Sequence, residues 1–294
     1  MRPNPVKIWL TAIRPKTLWA AFAPVLIGGA MAVEAGVFHL AAVLLALTGA
    51  ICIQIGTNFY NDLADFEKGA DTEDRKGPTR VTQAGWVSPQ GMRVATILVF
   101  GLAVLAGTYL MWRGGLPIVI IGILSIISGV MYTAGKYSLA YLGLGDLFVL
   151  VFFGPVAVGG TYYVQALNIS STVLIAGIAP GLLAVAILLV NNIRDQQEDR
   201  LAGKKTIVVR FGRTFGLVCY TICIVGAASI PLILYMMTGT HVWALLAMGI
   251  VLPGLGYLNK IAKPPPCPEL NPLLGSTARL LLVYSLMFAI CWNI

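Results

Sequence analysis

The 294-residue sequence predicts an all-α integral membrane protein, a single bundle of about nine transmembrane helices with two aspartate-rich cytoplasmic motif loops. The first observation is composition: 58% of the residues are hydrophobic and 11% are charged, whereas about a quarter of a soluble domain is charged. The second is the length of the apolar runs, most of which approach the roughly 20 residues needed to cross ~30 Å of hydrocarbon. The third is the one-sided distribution of Lys and Arg between those runs.

Nine apolar runs follow one another along the chain. They cover residues 17–34, 39–57, 92–111, 116–134, 144–163, 171–190, 214–236, 241–258 and 275–292. The alternating segments of about ten residues that build closed barrels are absent from the sequence, so the spanning elements are helices. Residues 1–294 therefore form one membrane domain in the lipid bilayer. Spacings such as Gly101 with Gly107, or Gly122 with Gly129, suit closely packed spanning helices.

The basic residues fix the predicted orientation. With nine spans and an inside N-terminus, nineteen of the twenty Lys and Arg residues fall inside and only Arg113 falls outside. Because positive residues are retained on the cytoplasmic side, the N-terminus and both motif loops are predicted to be cytoplasmic, in the inner (plasma) membrane. The net charge of +8 follows from this asymmetry, and nucleic acid is not an expected partner.

Two polar clusters share one spacing, with side-chain oxygens at offsets of 0, 3 and 7 residues, the repeat of one helix face. The oxygens belong to Asn58, Asn61 and Asp65 in the first cluster and to Asn192, Asp195 and Asp199 in the second. Nine of the twelve acidic residues lie within or beside these clusters. Carboxylates crowded beside hydrocarbon repel one another, and Mg²⁺ ions that also bind a phosphate substrate relieve that repulsion.

The clusters therefore predict one site in which metal ions and basic side chains hold a phosphate-bearing substrate. The predicted metal ligands are Asn61, Asp62, Asp65, Asp195 and Asp199. The predicted phosphate-binding cations are Lys68, Arg75, Arg80, Arg194 and Lys204. Asn58 and Asn192 are predicted to contact substrate, whereas Glu67, Glu73 and Glu198 are assigned to solvent.

The two clusters resemble the aspartate-rich motifs of the UbiA superfamily of intramembrane aromatic prenyltransferases, and the resemblance extends over essentially the whole chain. It implies that Mg²⁺ is held on a polyprenyl diphosphate, with Asp65 and Asp195 as central catalytic residues. Tyr132 and Lys136 match the family's Tyr-x-x-x-Lys element, which implies a catalytic role for both and contact between Lys136 and the diphosphate.

One position departs from the family pattern. Many members continue the first motif with an aspartate where this chain has Gly69. Asp71 is the candidate replacement at the substrate.

Shorter segments resemble one branch, the 1,4-dihydroxy-2-naphthoate polyprenyltransferases of menaquinone synthesis. The matching segments are 14–17, 68–71, 77–80, 143–146, 152–154 and 191–206. This resemblance implies electrophilic aromatic substitution on the naphthoate with loss of CO₂. Arg14 is the candidate for holding the acceptor carboxylate, and Lys16 is the second choice.

Other functions remain open at this level. Within the same enzyme family the acceptor could be 4-hydroxybenzoate, haem or a chlorophyllide, or the donor phytyl diphosphate. The compact Asp-Gly-x-x-Ala-Arg signature of CDP-alcohol phosphotransferases is absent from the sequence. A secondary transporter would place its ionisable residues near the membrane midplane, whereas here they lie at the ends of apolar runs.

Overall fold

The computed structural model describes residues 3–69, 77, 79–135, 138–263 and 270–294. Within these ranges all the regular elements are helices. They are α1 (Pro5–Ile13), α2 (Pro15–Glu34), α3 (Leu40–Glu67), α4 (Pro89–Gly114), α5 (Leu116–Met131), α6 (Leu139–Leu142), α7 (Gly145–Ala166), α8 (Ser171–Arg194), α9 (Gln196–Leu201), α10 (Ile207–Phe211), α11 (Arg213–Thr238), α12 (Val242–Ile261) and α13 (Leu270–Trp292).

Eight of the described helices, α2, α3, α4, α7, α8, α11, α12 and α13, are long and apolar enough to cross a membrane. The predicted span at residues 116–134 corresponds to α5, which has only 16 residues. At a rise of about 1.5 Å per residue such a helix is roughly 24 Å long, shorter than the ~30 Å hydrocarbon core. The fold is thus the predicted helical bundle, with one helix shorter than a typical span.

Helix α8 occupies the centre of the bundle. It packs against α2, α7, α11 and α13, and its side chains Leu183, Leu189 and Ile193 are fully buried in the largest core cluster. Helices α3, α4 and α5 pack together as a second group, which joins the first through α2 and α7. This packing brings the last turns of α3 and α8 to one end of the bundle.

Helices α7 and α8 touch backbone to backbone. A π-helical turn, Phe152–Val156, interrupts α7, and Gly154 within it has the non-helical angles φ −112° and ψ −115°. A Cβ atom on Gly154 would lie 2.8 Å from the carbonyl oxygen of Gly177. A Cβ atom on Gly181 would lie 2.5 Å from the carbonyl oxygen of Leu150. Glycine is therefore required where these two helices cross.

The polar clusters lie on or beside helices and not in the long loops that were predicted. Helix α3 continues to Glu67, because Asp62 and Asp65 are buried against the protein and extend its inward face. Asn192 lies in the last turn of α8, and Asp199 lies in the short helix α9. The offsets of 3 and 7 residues already fit this helical arrangement.

Candidate active site

Both polar clusters line one cavity of about 330 Å³. Its wall includes Asn61 and Asp65 from α3, together with Asn192, Asp195 and Asp199 from the end of α8 and from α9. These positions are more than 120 residues apart in the chain. The structure thus brings together the two clusters that share a spacing.

Asp65 is one of two almost completely buried acids in the first cluster. Its Oδ2 lies 2.6 Å from an Nη2 atom of Arg80, and both side chains are almost completely buried. Its Oδ1 is also buried but has no hydrogen-bond partner among the described residues. A buried carboxylate oxygen without a donor is costly, so this atom suits a bound cation. The neighbouring Asn61 accepts a hydrogen bond of 2.5 Å from the hydroxyl of Thr133.

Asp62 has a different environment from the one predicted. Its two carboxylate oxygens accept hydrogen bonds, each 3.0 Å long, from the backbone N–H groups of Val81 and Thr82. The side chain is 2% exposed, so both oxygens are already used inside the protein. Asp62 therefore holds the segment that delivers Arg80 to Asp65, and its assignment as a metal ligand stays a prediction.

Arg194 forms hydrogen bonds with other side chains around the cavity. Its Nε and Nη2 atoms donate to both oxygens of Asp195 at 2.6 and 2.7 Å. It also donates to the side-chain oxygens of Asn191 and Asn271, at 2.6 and 2.7 Å. A guanidinium fork held this way fixes the orientation of the carboxylate. Arg194, predicted to bind diphosphate, therefore positions Asp195 in this structure.

Lys204 links the two clusters electrostatically. Its Nζ lies 3.3 Å from Oδ1 of Asp199. Burial raises the pKa of Asp199 to about 6 against the opposing charge of Lys204, and repulsion from Asp195 and Asp65 adds to the rise. Burial alone would lower the pKa of Lys204, but attraction to Asp65 and Asp199 leaves it above its usual value. Lys204 is therefore a firmly charged cation at the cavity wall, as a phosphate ligand requires.

Lys68 holds the loop that follows α5. Its ammonium group donates to the backbone carbonyls of Thr133 and Gly135 and lies 4.5 Å above the ring centre of Tyr141. Burial lowers the pKa of Lys68, and Asp65 partly counteracts that effect. These contacts assign Lys68 to the loop in this structure, and its binding of diphosphate stays a prediction.

Tyr132 lines the cavity in this same loop. Burial raises the pKa of its phenol above the ordinary value, and the charges of Asp146, Asp199 and Asp65 raise it further. The hydroxyl group consequently stays neutral, and its ring forms an aromatic wall close to three carboxylates.

The junction of α1 and α2 places two further cations at the cavity, Arg14 and Lys16. Arg14 has φ 55°, a left-handed conformation that few non-glycine residues adopt. The amide nitrogen of Asn58 supports this turn, donating to the carbonyl of Ile13 at 2.9 Å and to the hydroxyl of Thr17 at 3.1 Å. Asn58 thus holds the turn beside Arg14, whereas Asn192 lines the cavity. Substrate contact stays a prediction for both residues.

The sequence-based site lacked one carboxylate. Asp146, in the first turn of α7, lines the cavity and is 8% exposed. It had two signals in the sequence: an acidic residue at the start of an apolar run, a position that also suits a simple helix terminus, and its place in segment 143–146, which resembles the naphthoate branch. Three other predicted residues, Asp71, Arg75 and Lys136, lie outside the described residues and stay predictions.

The donor set fits a hard divalent cation. Asn61, Asp65, Asp195 and Asp199 all contribute oxygen atoms to one cavity. Within the described ranges no three His, Cys, Asp or Glu side chains form a complete metal cluster by themselves. Mg²⁺ does not need one, since it usually takes one or two carboxylates together with waters and substrate phosphates.

Comparison with known proteins gives consistent results. Residues 21–266 match the UbiA prenyltransferase family. The 1,4-dihydroxy-2-naphthoate octaprenyltransferase of Escherichia coli is 36% identical, covering 96% of this chain and 94% of that protein. The enzyme of the same name from Haemophilus influenzae is 35% identical, covering 97% and 95%. The structure of a UbiA homologue from Archaeoglobus fulgidus bound to GPP and Mg²⁺ has a TM-score of 0.68 at 14% identity, covering 96% of this chain and 99% of that one.

Proposed function

Because this chain belongs to the UbiA prenyltransferase family, we propose that it transfers a polyprenyl group from a polyprenyl diphosphate to 1,4-dihydroxy-2-naphthoate. The naphthoate carboxylate leaves as CO₂, and the direct product is a demethylmenaquinol, the reduced form of a demethylmenaquinone. The observation that carries this proposal is the single cavity lined by both aspartate clusters, with Arg80, Arg194 and Lys204 at its wall. The names of relatives that match nearly the whole chain support the choice of acceptor.

The diphosphate end of the donor binds between the clusters. Asn61, Asp65, Asp195 and Asp199, which line the cavity, would hold Mg²⁺ there. When bound, Mg²⁺ neutralises the diphosphate and stabilises the charge that develops on it as a leaving group. Lys204 supplies a positive charge of the protein's own, and Arg80 and Arg194 keep Asp65 and Asp195 in place.

The reaction joins two carbon atoms. The bond between the allylic carbon and the diphosphate oxygen breaks, and its electron pair leaves with the diphosphate. The aromatic ring then supplies the electron pair of the new carbon–carbon bond. The ring of Tyr132 lies at the cavity wall, where an aromatic face stabilises a nascent allylic cation and excludes water.

The naphthoate carboxylate and the polyprenyl tail bind in separate regions. Arg14 and Lys16 are the cations that bind the naphthoate carboxylate. The polyprenyl tail lies against apolar spanning helices, since each buried CH₂ contributes about 0.8 kcal/mol. We place the cavity on the cytoplasmic side of the plasma membrane, where the basic residues are predicted to lie.

Purified protein in lipid nanodiscs tests the proposal. Incubation with 1,4-dihydroxy-2-naphthoate, a long-chain polyprenyl diphosphate and Mg²⁺ should give a demethylmenaquinol, detected by mass spectrometry as the quinol or as the demethylmenaquinone that air oxidation forms from it. Carboxyl-labelled naphthoate should release labelled CO₂ in equal amount, and chelation of Mg²⁺ should stop both signals. With 4-hydroxybenzoate the product should be scarce, because a site for two fused rings loses contacts to one ring. Efficient prenylation of 4-hydroxybenzoate without naphthoate product would refute the acceptor assignment.

A further inference from the structure

One carboxylate of the cavity differs from the other three in its partners. Asp65 pairs with Arg80, Asp195 pairs with Arg194, and Asp199 pairs with Lys204. These pairs account for three of the four aspartates whose side chains line the cavity.

Asp146, the fourth, has no ion pair to a described residue, and its Oδ1 has no hydrogen-bond partner among them. Its side chain is more than nine-tenths buried. A buried acceptor atom left unsatisfied is unfavourable and is seldom retained without a use. Among the described residues, no hydrogen-bond donor therefore reaches this oxygen.

The backbone around Asp146 is held in place from two sides. Arg210 donates a hydrogen bond of 2.6 Å to the carbonyl oxygen of Leu142, just before α7 begins. A Cβ atom on Gly145 would lie 3.3 Å from the hydroxyl oxygen of Tyr132, so the phenol rests against the start of the helix. The carboxylate of Asp146 is thus presented at a fixed point beside an aromatic ring.

The chemistry of Asp146 selects the kind of group that can bind there. A diphosphate or a carboxylate would be repelled by the charge of Asp146. A neutral hydroxyl group, by contrast, donates the missing hydrogen bond. An aromatic acceptor that carries ring hydroxyl groups and one carboxylate meets both requirements of the cavity, since its carboxylate is attracted to Arg14 and Lys16.

We propose that Asp146 accepts a hydrogen bond from a ring hydroxyl group of the aromatic acceptor and so fixes the orientation of the ring. This inference rests on the proposed function, which supplies an acceptor with two hydroxyl groups. The position is also suited to the reaction, because the charges of Asp146, Asp199 and Asp65 all act on Tyr132. A ring held at Asp146 therefore lies near the residues assigned to the donor.

A cycle of protein and ligand changes tests the assignment. Dissociation constants for 1,4-dihydroxy-2-naphthoate, 1-hydroxy-2-naphthoate and 4-hydroxy-2-naphthoate are measured in nanodiscs for the wild type, D146N and D146S. Because D146N replaces a charged hydrogen-bond acceptor with a neutral amide, it should weaken binding of the dihydroxy compound by about tenfold or more. With the analogue that lacks the relevant hydroxyl, the same substitution should change binding by less than about twofold. E67Q, an exposed acid outside the cavity, is the matched control and should bind all three ligands normally.

Binding of the polyprenyl diphosphate distinguishes a local effect from misfolding. It should be unchanged in D146N and D146S. Equal losses with all three naphthoates, or a parallel loss of donor binding, would overturn the assignment. If the wild type accepts a different hydroxylated aromatic acid, the proposed acceptor is wrong, and the same cycle with that acid and its deoxy analogue decides the role of Asp146.

Discussion

Asp62 and Asp65 lie on one face of α3, three residues apart, yet their carboxylates have different partners. Asp65 pairs with Arg80 and keeps one oxygen without a partner among the described residues. Asp62 uses both oxygens for the backbone of Val81 and Thr82. A motif of identical residue types therefore contains one substrate-side residue and one that orders the protein around it.

This difference predicts how the two residues respond to Mg²⁺. Asp65→Asn should reduce prenyl transfer by at least about a hundredfold and raise the Mg²⁺ concentration needed for half-maximal rate, since a metal-binding carboxylate is lost. Asp62→Asn loses one acceptor oxygen for a backbone N–H, at a cost of about 1–3 kcal/mol. It should lower the thermal midpoint and the rate while the Mg²⁺ requirement stays within about twofold of wild type.

Glu67→Gln is the control for both substitutions, because the ion pair of Glu67 with Arg93 is exposed and contributes little to stability. Rates at several Mg²⁺ concentrations, together with thermal melts in nanodiscs, check the prediction. If the Mg²⁺ concentration needed for half-maximal rate rises as much in Asp62→Asn as in Asp65→Asn, Asp62 is a metal ligand as well.

Arg14 gives a second prediction at this scale, through its charge at the cavity wall. Arg14→Asn is the informative change, because Asn tolerates the left-handed conformation at φ 55° better than most residues. The KM for the naphthoate should rise about tenfold or more, since the acceptor loses a charged hydrogen bond, and the KM for the diphosphate should change little. Arg14→Lys should give a KM for the naphthoate between that of the wild type and that of Arg14→Asn. Equal increases in both KM values would assign Arg14 to topology or to the α1–α2 turn.

The element that decides the shape of the site is the crossing of α7 and α8. Of the glycines that sequence spacing singled out, Gly101 and Gly122 have no neighbour within 4 Å of an added Cβ, whereas a Cβ on Gly129 would lie 2.3 Å from the hydroxyl oxygen of Thr57. The glycines that permit contact at the crossing of α7 and α8 are Gly154, Gly177 and Gly181, which the spacing did not single out. Spacing along one helix cannot show which glycines are needed at a crossing, because the atoms that a Cβ would meet belong to another helix.

Gly181→Ala should therefore destabilise the protein. Its Cβ would lie 2.5 Å from the carbonyl oxygen of Leu150, a backbone atom that cannot move aside alone. Overpacking of this kind costs about 1–3 kcal/mol and would shift α7, which carries Asp146. Thermal melts and transfer rates should both fall. Gly122→Ala, in open space on α5, should leave both unchanged or raise the melting temperature slightly, and equal effects of the two substitutions would argue against a tight crossing.

At the scale of the whole molecule, the cavity joins distant parts of the chain, from Leu10 in α1 to Leu274 in α13. Its walls come from both groups of helices. The site consequently forms only when those groups have packed, and the predicted orientation of the bundle decides which side of the membrane it faces.

Cysteine labelling tests that orientation. Single cysteines are placed at four exposed positions of a cysteine-free variant, namely Gln83, Leu201, Asn168 and Thr240. With an inside N-terminus and α5 counted as a crossing, the first two should react with a membrane-impermeant reagent only from the cytoplasmic side. The last two should react only from the opposite side. Labelling of Gln83 and Leu201 from different sides would be incompatible with a shared cytoplasmic site.

The sequence by itself determined the helical membrane fold, the approximate spans and the residue types of the site. These properties are local: the length of an apolar run, the charges beside it and the repeat of one helix face. The resemblance to the UbiA family then indicated the reaction class.

Only the tertiary structure decided which polar groups meet. Three contacts could not be predicted from the sequence. They are the hydrogen bonds of Asp62 to Val81 and Thr82, those of Lys68 to the loop after α5, and the lack of a partner for Oδ1 of Asp146 among the described residues. Each depends on how separate segments pack, and packing determines which buried carboxylate already has a donor and which one still needs a donor from substrate.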